Sequence, residues 1–179
     1  MRQRTIGILA LLCAMTPGLM RAEVVDSSAS GFTIKQSYTI KASPQDVYKK
    51  FFRVGEWWNS SHTFSGDPKN MTIEERPGGC FCEKIGESGG VKHMEVAHIV
   101  PGKTILLHGG LGPMLSMATT GSMIIQLTAV DGGTRLDFSY AVGGYLPAGL
   151  NTWAAPADGM LKDQLTRLKN FIEHGDPAK

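Results

Sequence analysis

The last long stretch of the chain, residues 157–174, most limits what this protein can fold into. Its apolar side chains recur at steps of three and four and fall on one stripe of a helix: Ala157, Met160, Leu161, Leu165, Leu168, Phe171 and Ile172. Gln164 is the only polar residue inside that stripe. Gly175 and Pro177 follow as stop signals. A helix this one-sided must pack against another apolar surface.

The segments before this helix can supply that surface as strands. Residues 32–41 alternate apolar and polar side chains, which is the pattern of a half-buried strand. Turns rich in Gly and Pro separate further extended runs at residues 71–75, 80–85, 91–100, 103–108, 122–130 and 134–142. Ser43 and Pro44 mark the start of a short helix, and residues 54–59 form a second. The order predicts an α+β fold: a curved antiparallel sheet of about seven strands gripping the C-terminal helix, with two short helices after the first strand.

The first 22 residues have the pattern of a secretory signal peptide. Arg2 and Arg4 precede an apolar run at residues 6–15, and Ala22 is a small residue suited to cleavage. The run is too short to span a bilayer as a stable helix. An uncleaved anchor is the alternative. We expect export, with the bacterial periplasm as the destination and no stable membrane span after cleavage.

The rest of the chain is expected to be one domain with almost no net charge. We expect a flexible lead at residues 23–30, a folded domain at residues 31–174 and a tail at residues 175–179. Removing the three arginines of the signal segment from 18 basic residues leaves 15 against 16 acidic residues, a net charge of −1. A nearly neutral protein does not attract polyanions, so no nucleic-acid partner is predicted. No motif indicates a cofactor, and the oligomeric state stays open.

Several short segments have sequences that are similar to those of one known superfamily. They are residues 42–47, 75–83, 95–103 and 133–136, together with the closing helix. These segments resemble the START/SRPBCC superfamily, in particular its activator-of-Hsp90-ATPase-like and polyketide-cyclase-like branches. Residues 57–67 resemble a subgroup of exported bacterial members. The resemblance covers roughly residues 31–174, and it is more specific for fold than for activity.

The resemblance implies a helix-grip fold with a cavity between the sheet and the C-terminal helix. Members of the superfamily range from ligand carriers to cyclases, and one branch stimulates a cytosolic chaperone, a role that export argues against. The implied ligand is a small hydrophobic molecule of lipid, polyketide or aromatic type. A plainly packed core is the alternative for any single residue. The side chains expected to line the cavity are Trp57, Trp58, Phe81, Met94, Val96, His98, Met114, Ile125, Phe138, Tyr140, Met160 and Gln164.

Two features are expected at the mouth of such a cavity. Trp57 and Trp58 point about 100° apart on a helix, so we expect one in the core and the other at the mouth. The loop at residues 109–117 combines glycines with apolar side chains and could form a lid. It lacks the Gly-Lys-Ser/Thr ending of a phosphate-binding loop, which excludes nucleotide binding there.

Cys80 and Cys82 are the only thiols left after removal of the signal segment. Two residues apart on a strand, their side chains leave the same face. Three interpretations stay open: two packed thiols, a strained or redox-active bridge, or half of a metal site that would need His93 or His108 nearby. A single Cys-x-Cys pair is a weak metal signal, and no metal site is predicted.

Catalysis stays open, because no Ser-His-Asp, His-Glu-x-x-His or Walker-type pattern occurs. The candidate catalytic residues are His98, Tyr140, His93 and Glu95. Strict alternation places Met94 toward the cavity, which sends His93 and Glu95 to solvent and leaves His98 and Tyr140 inside. Glu83 is also expected to be solvated.

These patterns favour one function over two alternatives. The favoured function is binding of a small hydrophobic ligand, because apolar strand faces are abundant and no catalytic set converges. A cyclase or dehydratase acting on a polyketide-like or aromatic substrate is the second. An interaction module with a filled core is the third, and it would expose an apolar patch near residues 111–117 or near Trp57.

Overall fold

The computed structural model describes residues 22–179, so the predicted signal peptide lies outside the described residues except for Ala22. Within that range the chain forms one eight-stranded antiparallel sheet and two α-helices. The strands are β1 (Ala22–Ser28), β2 (Gly31–Ile40), β3 (Met71–Ile73), β4 (Cys80–Ile85), β5 (Gly89–Val100), β6 (Thr104–Gly109), β7 (Ala118–Val130) and β8 (Gly133–Tyr145). The helices are α1 (Pro44–Phe51) and α2 (Asn151–His174). The strand order across the sheet is β1-β2-β8-β7-β6-β5-β4-β3, and the predicted α+β fold is confirmed.

Helix α2 packs its apolar stripe against the sheet. Leu161, Leu165 and Leu168 are buried there, and the left-handed Gly175 ends the helix. The helix starts at Asn151, before the predicted start, and continues through Pro156. Pro156 is the sixth residue of this helix, so it removes the backbone hydrogen bond that an N–H at that position would donate to the Thr152 carbonyl.

Alternation along the strands sends one row of apolar side chains toward α2. The row includes Ile34 of β2, Val96 of β5, Leu107 of β6, Ile125 of β7 and Leu136 of β8, each at most 1% exposed. This row and the apolar stripe of α2 form one continuous core. Burial of such side chains stabilises the fold by about 1.5–3 kcal/mol each.

Two local expectations are corrected by the structure. Residues 23–30, expected to be a flexible lead, lie mostly in β1, which pairs with β2 from Ala22 to Ser28. Main-chain hydrogen bonds hold this edge strand although its side chains are largely exposed, so the sequence carries little signal for it. The sheet therefore has eight strands rather than about seven. The second predicted helix, residues 54–59, is only a 3-10 turn at Val54–Glu56.

A β-bulge in β5 turns His93 toward the helix side of the sheet. Phe81 of β4 pairs with Met94. The next residue, Cys82, pairs with Lys92, so His93 is an extra residue without a partner in β4. An extra residue interrupts the alternation of side chains along a strand. His93, which strict alternation places in solvent, is therefore only 2% exposed.

A second bulge in β5 has the opposite effect on His98. Val96 pairs with Leu107 of β6. His98 pairs with Leu106, so Ala97 is the extra residue. Beyond this bulge His98 is exposed. The prediction that His98 lines the interior is therefore wrong, because the register shift reverses its face.

Candidate functional site

The described residues contain a buried hydrogen-bonded pair, Glu83 of β4 and His93 of β5. His93 Nε2 lies 3.1 Å from Glu83 Oε2, and the two residues are 2% and 1% exposed. The expectation that Glu83 is solvated is wrong, because Glu83 shares the inward face of β4 with Phe81. A second carboxylate oxygen, Glu83 Oε1, accepts a hydrogen bond from the Ser65 amide. Both oxygens of the buried carboxylate are thus satisfied.

The hydrogen bonds of His93 fix its tautomer. The Gly112 amide donates to His93 Nδ1 at 3.4 Å, so Nδ1 carries a lone pair and Nε2 carries the hydrogen that is donated to Glu83. Burial lowers the pKa of His93 below its ordinary value of 6.5, although Glu83 acts in the other direction. The imidazole is therefore neutral at neutral pH.

Glu83 stays ionised in spite of its surroundings. Burial raises the pKa of its carboxyl group, but hydrogen bonds from Ser65, from the Phe64 amide and from His93 outweigh burial and leave the pKa below 4.5. A carboxylate that accepts several hydrogen bonds is stabilised in its charged form. The pair is thus an anionic carboxylate that orients a neutral imidazole.

Aromatic rings surround the His93 imidazole. Phe64 stacks on it with ring centroids 5.9 Å apart and planes 21° apart, and Phe81 lies 5.3 Å away on another side. Trp58 meets Phe81 edge to face at 5.8 Å. These rings exclude water from the imidazole, and this burial lowers the pKa of His93.

His93 forms part of the wall of a pocket of about 200 Å³. The pocket lies where α2 meets the loop after β6 and the segment after α1. Its lining consists of Trp58, Ser61, His62, Thr63, Phe64, His93, Leu111, Gly112, Pro113 and Met160. Trp58, Phe64, Leu111, Pro113 and Met160 give the pocket a largely apolar surface, to which Ser61, His62, Thr63 and His93 add polar side chains. The arrangement suits a small, largely apolar molecule that carries a polar group.

Helix α2 holds one wall of the pocket in place. Gln164 Oε1 accepts a hydrogen bond of 2.8 Å from the Asn59 amide, and Asp163 accepts one of 2.8 Å from the Asn59 side chain. Trp58 Nε1 donates to the His62 carbonyl at 2.9 Å. The polar residue inside the apolar stripe of α2 therefore positions the segment that carries Trp58.

Tyr140 of β8 contacts the loop after β6, which forms another wall of the pocket. Its hydroxyl accepts a hydrogen bond of 3.4 Å from the Leu111 amide and lies 3.8 Å from Met114 Sδ. Burial raises the pKa of Tyr140 to about 12, with the Leu111 amide acting in the other direction. The loop at residues 109–117, expected to be a lid, thus contributes Leu111, Gly112 and Pro113 to the pocket.

The structure separates the residues expected at the cavity, together with the catalytic candidate Glu95, into three groups. Trp58 and Met160 line the pocket. His98 is exposed, as is much of Glu95, which forms an ion pair with Lys92 on the surface. The others are buried in the core: Trp57, Phe81, Met94, Val96, Met114, Ile125, Phe138, Tyr140 and Gln164. These buried side chains fill most of the space in which the sequence suggested a cavity. A role of these nine residues in ligand binding stays a prediction.

Cys80 and Cys82 form a disulfide, with Cα atoms 5.3 Å apart, inside the usual range for such bridges. The sequence left open packed thiols, a bridge or half of a metal site, and the structure contains the bridge. Residues 22–179 contain no group of three His, Cys, Asp or Glu side chains placed to hold a metal ion. In the same part of the chain, no helix combines the length and hydropathy needed to cross a bilayer.

A larger depression, of about 480 Å³, lies on the outer face of the sheet, among strand residues such as Lys35, Ser37, Gln126 and Asp137. It is shallow and its side chains are mostly polar. It does not enclose a ligand, so the smaller pocket beside His93 is the better candidate site.

No protein-family model and no curated protein matches the chain. Solved structures do match it. CalU16 from Micromonospora echinospora has a TM-score of 0.59 at 14% identity, covering 87% of this chain and 86% of that one. The Aha1 dimer from Colwellia psychrerythraea has a TM-score of 0.58 at 21% identity, covering 80% and 97%. A conserved protein of unknown function from Enterococcus faecalis has a TM-score of 0.59 at 16% identity, covering 88% and 78%.

The protein has the helix-grip fold. Identities below 25% carry this likeness no further than the fold, so function has to be argued from the site. In this helix-grip chain the pocket and the Glu83–His93 pair lie at the β3–β4–β5 side of the sheet, next to the middle of α2.

The predicted site residues did not include Glu83 or the pocket-lining residues Ser61, His62, Thr63 and Phe64. Glu83 had a signal, because it alternates with Phe81 on an otherwise apolar face. Phe64, which stacks on His93, lies in an irregular polar segment and had none. The inward position of His93 depends on the register between β4 and β5, which no single strand pattern reports.

Proposed function

We propose that this helix-grip protein binds a small, largely apolar molecule about the size of one substituted ring. The observation that carries the proposal is the pocket of about 200 Å³ between Trp58, Leu111 and Met160. An engineered cavity of about 150 Å³ holds benzene, whereas drug-sized ligands fill about 300–1,000 Å³. The pocket therefore suits a single ring better than a lipid or a polyketide of several rings.

The surroundings of the pocket support reversible entry. Phe64 lies at the edge of the pocket and is 53% exposed, so its ring can move without disturbing the core. Trp58 and Leu111 on the inner side are 5% exposed and belong to the core. A fixed inner wall and a movable outer ring allow a ligand to enter and leave.

Calorimetric titration with p-xylene tests the proposal. We expect saturable binding at one site per chain, driven by apolar burial against Trp58 and Met160. Met160→Trp fills the pocket and should weaken binding at least tenfold. Leu115→Trp adds the same ring to the neighbouring loop, where Leu115 is 43% exposed and outside the pocket, and should bind like the wild type. Absence of saturable binding in the wild type, or equal binding by Met160→Trp, would contradict the proposal.

The cellular setting belongs to the same proposal. Export to the periplasm is supported by the sequence of residues 1–22 alone. The disulfide between Cys80 and Cys82 fits an oxidising compartment.

A second function, an enzyme of the cyclase or dehydratase class, is favoured by one specific observation. The Glu83 carboxylate orients a neutral imidazole inside an apolar pocket, an arrangement that supports general-base catalysis. Such a base would take a proton from a carbon next to a carbonyl group while the electron pair of the C–H bond forms an enolate.

Deuterium uptake at the α-carbon of cyclohexanone, followed by NMR, tests this second function. Acceleration over buffer that is lost in His93→Gln and kept in His98→Gln would support it. Exchange at the rate of buffer would exclude general-base catalysis on ketones of this size.

A further inference from the structure

We propose that the Glu83–His93 pair makes the pocket selective for neutral ring compounds that carry a hydroxyl group, such as phenols. The hydroxyl would lie between His93 Nδ1 and the Gly112 amide, donating to the first and accepting from the second. This inference rests on the proposed function, because it concerns the ligand of the same pocket.

The first observation is that His93 Nδ1 accepts only a long hydrogen bond, from the Gly112 amide. Gly112 N lies 3.4 Å from His93 Nδ1, which is long for a hydrogen bond with an N–H donor. Both residues line the pocket. A ligand hydroxyl that bonds to both would replace this one long hydrogen bond by two, with the loop that carries Gly112 moving away from Nδ1 to admit the oxygen.

The second observation is that one group donates and the other accepts. Nδ1 accepts because Nε2 holds the hydrogen that binds Glu83, whereas the Gly112 amide can only donate. A hydroxyl group can satisfy both at once, since it has one hydrogen and two lone pairs. An ether or a ketone can satisfy only the amide.

The third observation is the buried negative charge behind the imidazole. Glu83 is 1% exposed, its pKa is lowered, and its partners are the Ser65 amide and the neutral His93 ring. A carboxylate ligand placed next to this pair would bring a second anion into an apolar site, which is strongly unfavourable. The pocket therefore discriminates against benzoate-like anions.

Titration with three compounds of matched shape tests the inference. p-Cresol and p-xylene differ by one hydroxyl in place of a methyl group, and 4-methylbenzoate carries an anion instead. In the wild type we expect p-cresol to bind at least as tightly as p-xylene and 4-methylbenzoate to show no saturable binding. In His93→Phe, which keeps a ring among the neighbouring aromatic residues, the affinity for p-cresol relative to p-xylene should fall about tenfold. His98→Phe, on the exposed face of the same strand, should keep the wild-type ratio.

A measurement on the wild-type protein keeps the inference testable if His93→Phe does not fold. NMR spectra of the imidazole nitrogens should show the Nε2–H tautomer in the free protein. Addition of p-cresol should move the Nδ1 signal clearly further than addition of p-xylene at equal occupancy, because only p-cresol donates a hydrogen bond to that atom.

The outcomes separate this inference from the proposed function. If p-xylene binds and His93→Phe leaves the ratio of the two affinities unchanged, the hydroxyl selectivity is overturned and the apolar pocket stands. Tightest binding of 4-methylbenzoate overturns it as well. If neither neutral ring binds the wild type, the proposed function falls and this inference falls with it.

Discussion

Glu83 Oε2 lies 3.1 Å from His93 Nε2 inside the protein, with both side chains at most 2% exposed. A carboxylate and an imidazole in this position require every donor and acceptor to find a partner, because an unpaired buried polar group costs about 1–3 kcal/mol. The Ser65 and Gly112 amides complete the set. The stability of the fold and the chemistry of the pocket therefore depend on the same four residues.

Replacement of Glu83 by glutamine should destabilise the protein. The amide side chain offers one oxygen where the carboxylate offers two, so either Ser65 or His93 loses its acceptor. We expect the free energy of unfolding to fall by about 2 kcal/mol in urea titrations. Glu95→Gln is the matched control, because Glu95 forms a surface ion pair with Lys92, and it should leave the unfolding midpoint unchanged. Equal effects of the two substitutions would contradict the buried network.

His93 should make stability depend on pH below its ordinary pKa of 6.5. Because burial lowers the pKa of His93 in the folded protein, the unfolded chain takes up a proton at a pH at which the folded chain does not. The contribution of His93 is complete above pH 6.5 and is lost as the pH falls toward the lowered pKa. The slope for one proton is at most about 1.4 kcal/mol per pH unit.

Unfolding titrations between pH 7 and pH 5 measure that slope, using about 6.5 as the reference pKa of histidine. His93→Gln should reduce it, and His98→Gln should keep it. Glu83 contributes in the same direction at lower pH, because its lowered pKa means that its contribution is lost only below 4.5. A slope that does not change in His93→Gln would show that His93 is not buried as a neutral imidazole.

Reduction of the disulfide between Cys80 and Cys82 should have a small effect. The bridge joins residues two apart, so it closes a very short loop and removes little entropy from the unfolded chain. We expect a loss of no more than about 1.5 kcal/mol on reduction or in Cys80→Ser/Cys82→Ser. Urea titrations with and without reductant measure this, and mass spectrometry verifies the redox state. A loss several times larger would mean that the bridge also supports native contacts.

Gln164 should be more important to stability than its polar character suggests. Its Oε1 atom accepts from the Asn59 amide at 2.8 Å, and Gln164→Leu leaves that amide without an acceptor. We expect a loss of about 1–3 kcal/mol and weaker binding of p-xylene, because Asn59 is next to Trp58 of the pocket. Lys162→Leu, on the exposed side of α2, should change stability by no more than about 0.5 kcal/mol. If Gln164→Leu is neutral, the segment that carries Trp58 is held by other contacts.

The fold could be predicted from the sequence because its signals are local. The one-sided pattern of α2, the helix start at Ser43 and Pro44, and the alternation in β2, β7 and β8 each depend on neighbours a few residues apart. The edge strand β1 could not be predicted, since its main-chain pairing with β2 leaves no apolar pattern in residues 23–30.

The site could be predicted only in part, because its geometry is set by pairs of strands. The resemblance to the helix-grip superfamily led to the expectation that Trp58 and Met160 line a cavity, the residue types of the loop at 109–117 suggested a lid, and all three contribute to the pocket. His93 is buried and His98 is exposed, the reverse of what was expected. Each position results from a β-bulge in β5, and a bulge is visible only from the pairing of two strands. The filled core is a property of side-chain packing, which the sequence pattern does not report.

The most direct test of the central claim is an NMR titration of the ¹⁵N-labelled protein with p-xylene. The proposal predicts that the shifts concentrate on the Trp58 indole N–H and on the Gly112 amide, which both lie at the pocket. Shifts confined to the outer face of the sheet around Lys35 and Gln126, or no shifts at saturating p-xylene, would contradict it.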